Sequence, residues 1–476
     1  MPEARETPQN PLHERYASAE MARLFSARHR FRSWRRLWIC LAENQAALGL
    51  PISGQQLDAL REHADDLDLE RVAALERETR HDVVAHLRHF AEVSGDAGSI
   101  LHLGATSAFI TDNTDALIVR EALDLVAGRL AATVAALADF ARRERATTAL
   151  AYTHFQSAQL TTLGKRACLW LQDFLTDLEE VADRRDRLRC RGAKGTTGTQ
   201  ASFLTLFGGD HGKVRQLDAR VASDLGFEAS WRITGQTYPR KQDSQVLHTL
   251  SGTAESCHKF GSDLRLLQGV GELSEPFDEN QVGSSAMAYK RNPVRAERMC
   301  SLSRRVMSDS LHGALNAGTQ WLERSLDDSA NRRLVLTDCF LTVDAVLLLA
   351  ANIAQGLRVN EAATAARVTR ELPFMATETF LMEASLRGGD RQELHERIRR
   401  HSLEAYARVS AGEPNPLIDL IAGDPAFGLG SDELESLVDA DSFTGRSAQQ
   451  VDEFLGEAVE PALARHRAAA VEAPRV

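Results

Sequence analysis

Apolar residues at helical spacing dominate the middle of the chain. From Asp112 to about Arg145 they recur every three or four positions, which places them on one face of a helix. They are Leu117, Leu123, Val126, Leu130, Val134, Leu137 and Phe140. The pattern predicts one long helix with Thr111 or Asp112 as its N-cap. Similar patterns predict long helices over residues 160–189, 238–267, 293–315 and 331–357.

Helices of this length determine the predicted architecture. Because such long apolar stripes cannot be buried against short partners, we expect a long helix bundle and association between subunits. Proline and glycine mark a smaller helical region before the bundle, at 51–54 and 94–98, and another after it, at Pro373, 388–389, Pro414 and Pro416. The prediction is an all-α fold of three helical domains, 1–106, 107–359 and 360–476, with almost no strand and a loose tail over the last dozen residues.

Composition and charge narrow the function classes. The chain has 476 residues, is 43% hydrophobic and 26% charged, and carries a net charge of −11, which is ordinary for a soluble protein and argues against nucleic-acid binding. The arginine-rich run over 184–191 is mixed with acidic residues, so a solvated helix face is preferred to a nucleic-acid patch. The N-terminus has no apolar signal region, and the most apolar run, 345–351, is far too short for a membrane span. We therefore expect a cytoplasmic protein.

The sequence also gives no indication of a metal or an organic cofactor. The six cysteines are scattered without a Cys-x-x-Cys pair, which argues against a disulfide framework and a zinc site. Motifs for phosphate-binding loops, dinucleotide binding and zinc proteolysis are missing from the sequence. His86 and His89 share a helix face, but without further ligands at a suitable spacing a solvated helix surface is preferred to a metal site.

One stretch suggests chemistry rather than packing. Residues 283–293 read Gly-Ser-Ser-Ala-Met-Ala-Tyr-Lys-Arg-Asn-Pro, and no acidic residue occurs from Asn280 to Ala296. Backbone N–H groups near Gly283 and Ser284, together with the Lys290 ammonium, suit a loop that closes over a carboxylate. A flexible, solvated basic loop is an equally good interpretation of the residue types alone.

This stretch resembles the signature of the fumarase/aspartase superfamily of lyases, and its Tyr-Lys-Arg-Asn-Pro form resembles the adenylosuccinate lyase family. The resemblance covers nearly the whole chain and is close to the animal-type subgroup at 80–82, 102–107, 153–156, 194–200, 233–238 and 326–333. Two positions depart from it, because Ala288 and Ser157 stand where the family usually has proline. Losing a fixed φ affects the rigidity of a loop more than its chemistry.

The resemblance implies an elimination that releases fumarate from a succinyl group on nitrogen. It assigns Ser284 as the general base, with Lys290 and backbone N–H groups stabilising its alkoxide, and His154 as the general acid. Without the resemblance, His154 is more often a structural or capping histidine. Glu297 resembles a residue that orients this histidine from a neighbouring subunit, although an acid in the first turn of a helix also has a dipole explanation. His81 is assigned to the reaction and to substrate contact.

A succinyl nucleotide carries two carboxylates and a phosphate, so an acidic protein must concentrate cations to bind it. The substrate-binding positions implied by the resemblance are Arg15, Tyr16, Arg80, His81, Asp82, Thr106, Ser107, Gln236, Lys290, Arg298, Arg324, Ser329 and Arg333. They come from every part of the chain and cannot easily converge within one elongated bundle. The resemblance implies a homotetramer whose sites are each built from three chains.

Two alternatives stay open on the sequence. The first is another lyase of the superfamily that shares Ser284 and Lys290 but releases a different amine or alcohol; the matches at 15–16, 80–82 and 329–333 argue against it. The second is a non-catalytic helical scaffold that has kept the fold, against which the presence of His154, Ser284 and Lys290 argues.

Overall fold

The computed structural model describes residues 10–278, 280–287 and 289–470. The first part is helical, as predicted. After a π-helical turn at Leu12–Tyr16, its helices are α1 (Ala19–Leu24), α2 (Ala27–Ala47), α3 (Gly54–Glu62), α4 (Leu69–Thr79) and α5 (Asp82–Ser94), followed by a 3₁₀ turn at Gly95–Ile100.

The middle of the chain forms a long bundle around α6, α7, α10, α11 and α13. Its elements are α6 (Ser107–Arg143), β1 (Thr148–Thr153), β2 (Gln156–Thr162), α7 (Leu163–Asp186), α8 (Ala201–Leu206), α9 (His211–Asp224), α10 (Lys241–Gly269), β3 (Leu273–Ser274), α11 (Val294–Asp309), α12 (Leu311–Gly318), α13 (Asp327–Gly356) and β4 (Arg358–Val359). Four of the five predicted long helices are therefore present as single helices, and the all-α fold class is confirmed.

Two details of that prediction are wrong. The first helix begins at Ser107, with Thr106 as its N-cap, rather than near Thr111 or Asp112. Ala108, Phe109 and Ile110 are buried, so core packing extends the helix one turn earlier than its polar residues suggest. The helix predicted over 293–315 is broken at Ser310, between α11 and α12. The break lets Gly313 approach α10 so closely that a Cβ there would lie 2.9 Å from the Cα of Ser244.

The helix α13 is the most apolar element of the bundle. Among the described residues it is the one helix long and apolar enough to cross a membrane, with a mean hydropathy of 2.1 over its best window. However, 83% of that window is buried inside the protein. Its apolar character is thus explained by its place at the centre of the bundle, where α6 and α11 pack on it.

The helical pattern did not predict the hairpin between α6 and α7. Strands β1 and β2 pair antiparallel, with Thr148 opposite Thr162 and Thr153 opposite Gln156. Leu150 and Leu160 point to a small core shared with Val368 and Leu372. A second, two-residue ladder pairs Leu273 with Val359.

The last part of the chain is divided between two cores. Its helices are α14 (Glu361–Met375), α15 (Thr377–Leu386), α16 (Arg391–Ser410), α17 (Leu417–Ala422), α18 (Ser431–Ser436), α19 (Ser447–Phe454) and α20 (Glu460–Arg465), with a 3₁₀ turn at Asp441–Thr444 and a π-helical turn at Leu455–Val459. Residues 376–434 surround a separate apolar core, whereas Val451, Leu455 and Val459 join the core of the bundle. The predicted boundaries at 106/107 and 359/360 stay predictions.

The prediction that His86 and His89 lie on a solvated surface is wrong, because both are buried on α5. The His86 ring packs 3.9 Å from that of Phe31, and burial lowers its pKa to about 4. Nδ1 of His89 accepts a hydrogen bond from Arg35 at 2.7 Å. Among the described residues no group of His, Cys, Asp and Glu side chains is arranged to hold a metal ion.

Candidate active site

A cavity of about 920 Å³ lies where α2, α5, α6, α10 and α13 begin. Nine of the predicted substrate-binding residues line it, and they are Arg80, His81, Asp82, Thr106, Ser107, Gln236, Arg324, Ser329 and Arg333. These residues come from four separate stretches of the sequence. The fold therefore brings together most of the set that the motifs assigned to substrate.

The helix ends around the cavity favour a negatively charged ligand. Each of the five helices has its first residue or its N-cap residue in the cavity wall. Backbone N–H groups at a helix N-terminus lack partners within the helix, and the helix dipole makes that end positive. Several N-termini facing one space form an environment suited to phosphate or carboxylate groups.

A buried network of charges forms the floor of the cavity. Asp112 accepts hydrogen bonds from Arg240 at 3.1 and 3.2 Å, and Asp328 accepts one from the same guanidinium at 2.5 Å. Arg332 donates to Asp243 at 2.7 Å and to Asp115 at 3.1 Å. The network joins the starts of α6, α10 and α13, so it fixes how these helices meet beneath the cavity.

Two carboxylates of this floor, Asp328 and Asp115, are charged despite their burial. Burial alone would raise the pKa of Asp328, but Arg240 and Arg324 outweigh it and hold that pKa below its usual value. Burial likewise opposes the ionisation of Asp115, and Arg30 with Arg332 lowers its pKa. Removing one partner of such a network leaves an uncompensated buried charge, which is strongly destabilising.

His81 stands at the cavity edge as the N-cap of α5. Its Nδ1 accepts the Val84 N–H at 3.5 Å, and its Nε2 lies 3.4 Å from Ser107 Oγ. Asp82, the first residue of α5, binds Arg333 at 2.9 Å, which links α5 to α13. The three predicted residues Arg80, His81 and Asp82 thus meet Ser107 and Arg333 in one place.

The predicted base lies on a separate loop. Ser284 Oγ accepts hydrogen bonds from the N–H groups of Ala286 at 3.3 Å and Met287 at 3.1 Å. Two donors on one hydroxyl oxygen stabilise negative charge there, which is what a serine alkoxide requires. Lys290 is exposed on the same loop. Ala288, one of the two departures from the family pattern, lies outside the described residues.

The loop is held together by close backbone contacts. A Cβ on Gly283 would lie 2.0 Å from the Lys290 carbonyl oxygen, so glycine is required there. Asn292 donates to the Gly283 carbonyl at 2.8 Å. At the base of the loop, the buried Glu275 accepts the N–H groups of Arg295 and Ala296 at 3.0 and 2.8 Å, capping α11. The signature glycine and asparagine are therefore explained by loop geometry.

The remaining predicted residues on this side lie at the start of α11 and just before α1. Glu297 is exposed in the first turn of α11. The Arg298 guanidinium stands 5.9 Å from the centre of the Tyr16 ring, and Arg15 is exposed beside it in the chain. The Ser18 N–H binds the buried Asp344 at 2.6 Å, which anchors this N-terminal segment on α13.

His154 occupies the tip of the β1–β2 hairpin. His154 and Phe155 form a two-residue turn, and both have positive φ, 54° and 58°. A turn with positive φ at both central residues normally contains Asn-Gly or Gly-Gly, because bulky residues are strained there. A histidine held in such a conformation and exposed at a hairpin tip is a candidate for function rather than for packing. Ser157, the second departure from the family pattern, lies exposed on β2.

The cavity does not meet the Ser284 loop or the His154 hairpin within one chain. Arg333 lies at the cavity, whereas Asn352, farther along α13, binds Arg295 at the base of the Ser284 loop. Nineteen residues of α13 separate Arg333 from Asn352, which is roughly 28 Å along the helix. The hairpin follows the far end of α6, a helix of 37 residues that starts at the cavity. The structure thus places the nine cavity residues at one end of the bundle and Ser284 and His154 toward the other.

Strained backbone was a further signal that the sequence did not reveal. Six non-glycine residues among those described have positive φ, and five of them fall within the family motifs: Arg80, His102, His154, Phe155 and Gln200. Sequence reasoning also missed Arg240 and Arg332 of the cavity floor. Arg332 lies within the 326–333 motif, which was the available signal for it, whereas the polar stretch 239–243 around Arg240 gave none.

Comparison with known proteins identifies the family. A family model described as "Lyase" matches residues 15–308, and one described as "Adenylosuccinate lyase C-terminus" matches residues 373–454. The chain is 46% identical to the adenylosuccinate lyase of Saccharomyces cerevisiae, over 95% of each chain. The chain belongs to the adenylosuccinate lyase family. It also shares 44% identity with the adenylosuccinate lyase of Schistosoma mansoni and 45% with that of Schizosaccharomyces pombe, again over 95% of each chain.

Solved structures agree with this assignment at the level of the fold. The 3-carboxy-cis,cis-muconate lactonizing enzyme of Pseudomonas putida superposes with a TM-score of 0.82 at 23% identity, over 96% of this chain and all of that one. The fumarate lyase of Mesorhizobium sp. BNC1 gives 0.79 at 22% identity, over 93% and 98%. The chain thus shares its helical fold with these two enzymes.

Proposed function

We propose that this protein releases fumarate from adenylosuccinate to give AMP, and from the succinylcarboxamide imidazole ribotide of purine synthesis (SAICAR) to give the free carboxamide (AICAR). Membership of the adenylosuccinate lyase family supports a carbon–nitrogen lyase of purine biosynthesis. The observation that carries the substrate assignment is the cavity, where nine motif residues from distant stretches of the sequence meet.

The cavity suits the nucleotide part of such a substrate. Six arginines and four carboxylates line it, and five helix N-termini add positive potential. Arg240 and Arg332 are paired with buried acids, whereas Arg80 and Arg333 are exposed at its edge. Exposed guanidinium groups beside Ser107 and Ser329 give a phosphate both charge and hydrogen bonds. The cavity volume of about 920 Å³ also lies within the usual range for small-molecule sites.

The proposed reaction is an elimination without redox change. The Ser284 alkoxide removes a proton from the succinyl carbon next to a carboxylate, and the charge that develops is spread into that carboxylate. The C–N bond then breaks, its electron pair goes to the nitrogen, and the His154 imidazolium protonates the departing amine. The carbon–carbon double bond of fumarate forms from the carbanion pair. The elimination needs two proton transfers and electrostatic stabilisation of the carbanion, so we propose neither a metal nor an organic cofactor.

We further propose a homotetramer in which each site combines the cavity of one chain, the Ser284 loop of a second and the His154 hairpin of a third. The separation of the cavity from the other two groups within one chain supports this assembly. So do large apolar side chains exposed on the bundle helices: Leu169 and Leu266 about half exposed, and Leu311, Leu315 and Leu334 more than half. Apolar side chains at such positions are typical of an interface between subunits. Glu297 and Arg298 would contact the histidine and substrate of neighbouring chains.

Six free, buried cysteines are consistent with a reducing compartment, and we propose a cytoplasmic location. No nucleic-acid or membrane partner is proposed.

The substrate assignment is tested with the purified protein and adenylosuccinate. We expect the ultraviolet spectrum to change as the substituted purine becomes AMP, with fumarate released in equal amount. An unchanged spectrum, together with activity in a fumarase or argininosuccinate lyase assay, would show instead that the protein is another lyase of the superfamily.

The shared site is tested by mixing two variants of very low activity, Ser284→Ala and His154→Gln, after dissociation and reassembly. If the two residues belong to different chains at each site, some mixed sites contain neither substitution, and a share of the activity returns. A mixture that stays as inactive as its components would contradict the shared site, and sedimentation as an active monomer would contradict the tetramer.

A further inference from the structure

Glu272 is a buried carboxylate with contacts to three parts of the chain. It follows the end of α10, and its side chain is fully buried. Its Oε1 accepts hydrogen bonds from Tyr152 Oη and from Arg367 Nε, the latter at 3.1 Å. Its Oε2 accepts one from Arg166 at 3.3 Å. The contacting residues lie on β1, α7 and α14, so one carboxylate joins the hairpin, the bundle and the last part of the chain.

Tyr152 connects this carboxylate to the His154 turn. It precedes His154 by two residues on β1, and its ring packs against that of Phe155, with 5.7 Å between ring centres. The guanidinium groups of Arg166 and Arg367 lie 5.7 and 6.0 Å from the centre of the Tyr152 ring. Burial and the hydrogen bond to Glu272 raise the pKa of the Tyr152 hydroxyl, so it remains a donor. The Tyr152 ring, on which Phe155 of the strained turn packs, is therefore held in place by charged partners as well as by packing.

The main chain of Glu272 leads to the second catalytic segment. Its carbonyl accepts the Asn360 N–H at 2.9 Å, and the next residue, Leu273, pairs with Val359. Two residues further on, Glu275 caps α11 and begins the loop that carries Ser284. Asn360 in turn caps α14, the helix of Arg367. The root of the Ser284 loop and the support of the His154 turn therefore share one anchor.

We propose that Glu272, Tyr152 and Arg367 form a positioning cluster that holds the His154 turn at the position from which it delivers its proton. This inference rests on the proposed function, in which His154 is the general acid. A turn with positive φ at both His154 and Phe155 keeps that conformation only where its surroundings restrain it. None of the three residues is proposed to touch the substrate; they act by positioning His154. Arg367 belongs to α14, which follows the bundle in the chain.

The test uses the full-length enzyme with Tyr152→Phe, which removes one hydroxyl and keeps the ring, and with Arg367→Met, which removes the charge at a half-buried site. Each is also combined with His154→Gln. Matched controls are Tyr406→Phe, an exposed tyrosine on α16, and Arg370→Met, an exposed arginine one turn along α14. Measured quantities are kcat, KM and the thermal midpoint.

We expect Tyr152→Phe and Arg367→Met to lower kcat by about 10- to 100-fold, the range for a small displacement of a catalytic group. KM should stay within about twofold, because substrate contacts are unchanged. In the His154→Gln background the same substitutions should change kcat by less than about twofold, since they act through a group already removed. Both controls should match their parent.

If Tyr152→Phe and Arg367→Met lower kcat by the same factor in the parent and in the His154→Gln background, the inference is overturned. A parental kcat in both single variants would also overturn it. A fall in kcat that only follows a lower thermal midpoint would also overturn it, by showing a structural role. If His154→Gln itself keeps parental activity, the general-acid assignment fails and the inference with it. If His154→Gln strongly lowers kcat but the cluster variants do not, only this inference fails. Should Tyr152→Phe not fold, Arg367→Met carries the same test.

Discussion

The two ends of the bundle are built in different ways. At the cavity end, five helices begin around a floor of paired, buried charges, and nine predicted substrate residues converge within one chain. At the far end, the Ser284 loop and the His154 turn project on non-helical segments, and His154 is exposed. One end holds a preformed cavity, whereas the other carries the proposed base and acid away from that cavity. In the homotetramer we propose, binding is built into the single chain and chemistry depends on how chains meet.

The largest effect on kcat is expected from a substitution at the far end of the bundle. Ser284→Ala removes the proposed base without touching the cavity, so kcat for adenylosuccinate should fall by about 10²- to 10⁴-fold, with little change in nucleotide affinity. Steady-state kinetics and AMP binding measure the two quantities. Ser285→Ala, at the adjacent serine, is the matched comparison and should lose far less. Parental activity in Ser284→Ala would revive the view that this fold has another base or is only a scaffold.

The next prediction concerns the cavity end and the free energy of unfolding. Arg332→Met removes one partner of the buried network and leaves Asp243 without its guanidinium and Asp115 with Arg30 alone, so the free energy of unfolding should fall by about 3–5 kcal/mol. Arg333→Met changes the neighbouring residue, an exposed arginine paired with Asp82, and should cost less than about 1 kcal/mol while weakening nucleotide binding. Denaturant unfolding and binding titrations measure both. Equal loss of stability in the two variants would contradict the distinction between floor and rim.

A third prediction concerns the pH dependence of stability that the buried His86 causes. The folded pKa of His86 is about 4, against 6.5 without burial. Between these values the unfolded chain binds the extra proton, so stability falls as the pH drops. His86→Phe, which keeps the stacking on Phe31, should remove about 2–3 kcal/mol of the loss between pH 7 and pH 4.5. His395→Phe, at an exposed histidine, is the control. If the parent and both variants lose the same free energy of unfolding between pH 7 and pH 4.5, His86 is not the group responsible.

The smallest expected effect concerns loop geometry. A Cβ at Gly283 would collide with the Lys290 carbonyl, so Gly283→Ala should displace Ser284 and lower kcat by about 10- to 100-fold. The thermal midpoint should be unchanged, because the loop is largely exposed. Gly318→Ala, where a Cβ meets open space, is the control. Unchanged kcat in Gly283→Ala would show that the close contact has no part in placing the base.

Local patterns predicted the fold well and the site partly. Apolar spacing of three and four residues predicted the long helices because that signal lies within each segment. It placed the start of α6 too late, since the buried Phe109 and Ile110 extend the helix for reasons of packing. It also missed the hairpin, whose two strands are short and whose turn contains neither glycine nor asparagine. His86 and His89 looked like surface residues because their apolar partners, such as Phe31, lie far away in sequence.

The sequence by itself determined the long helices, the all-α class and, through the Ser284 loop and the other motifs, the family. These features depend on residues close together in the chain, or on residue identities alone. Only the tertiary structure decided that Arg332 is buried and Arg333 exposed, that five helix N-termini surround one cavity, and that His154 stands at a strained hairpin tip. Such features depend on which helix ends meet, and that is determined by packing between segments that lie hundreds of residues apart.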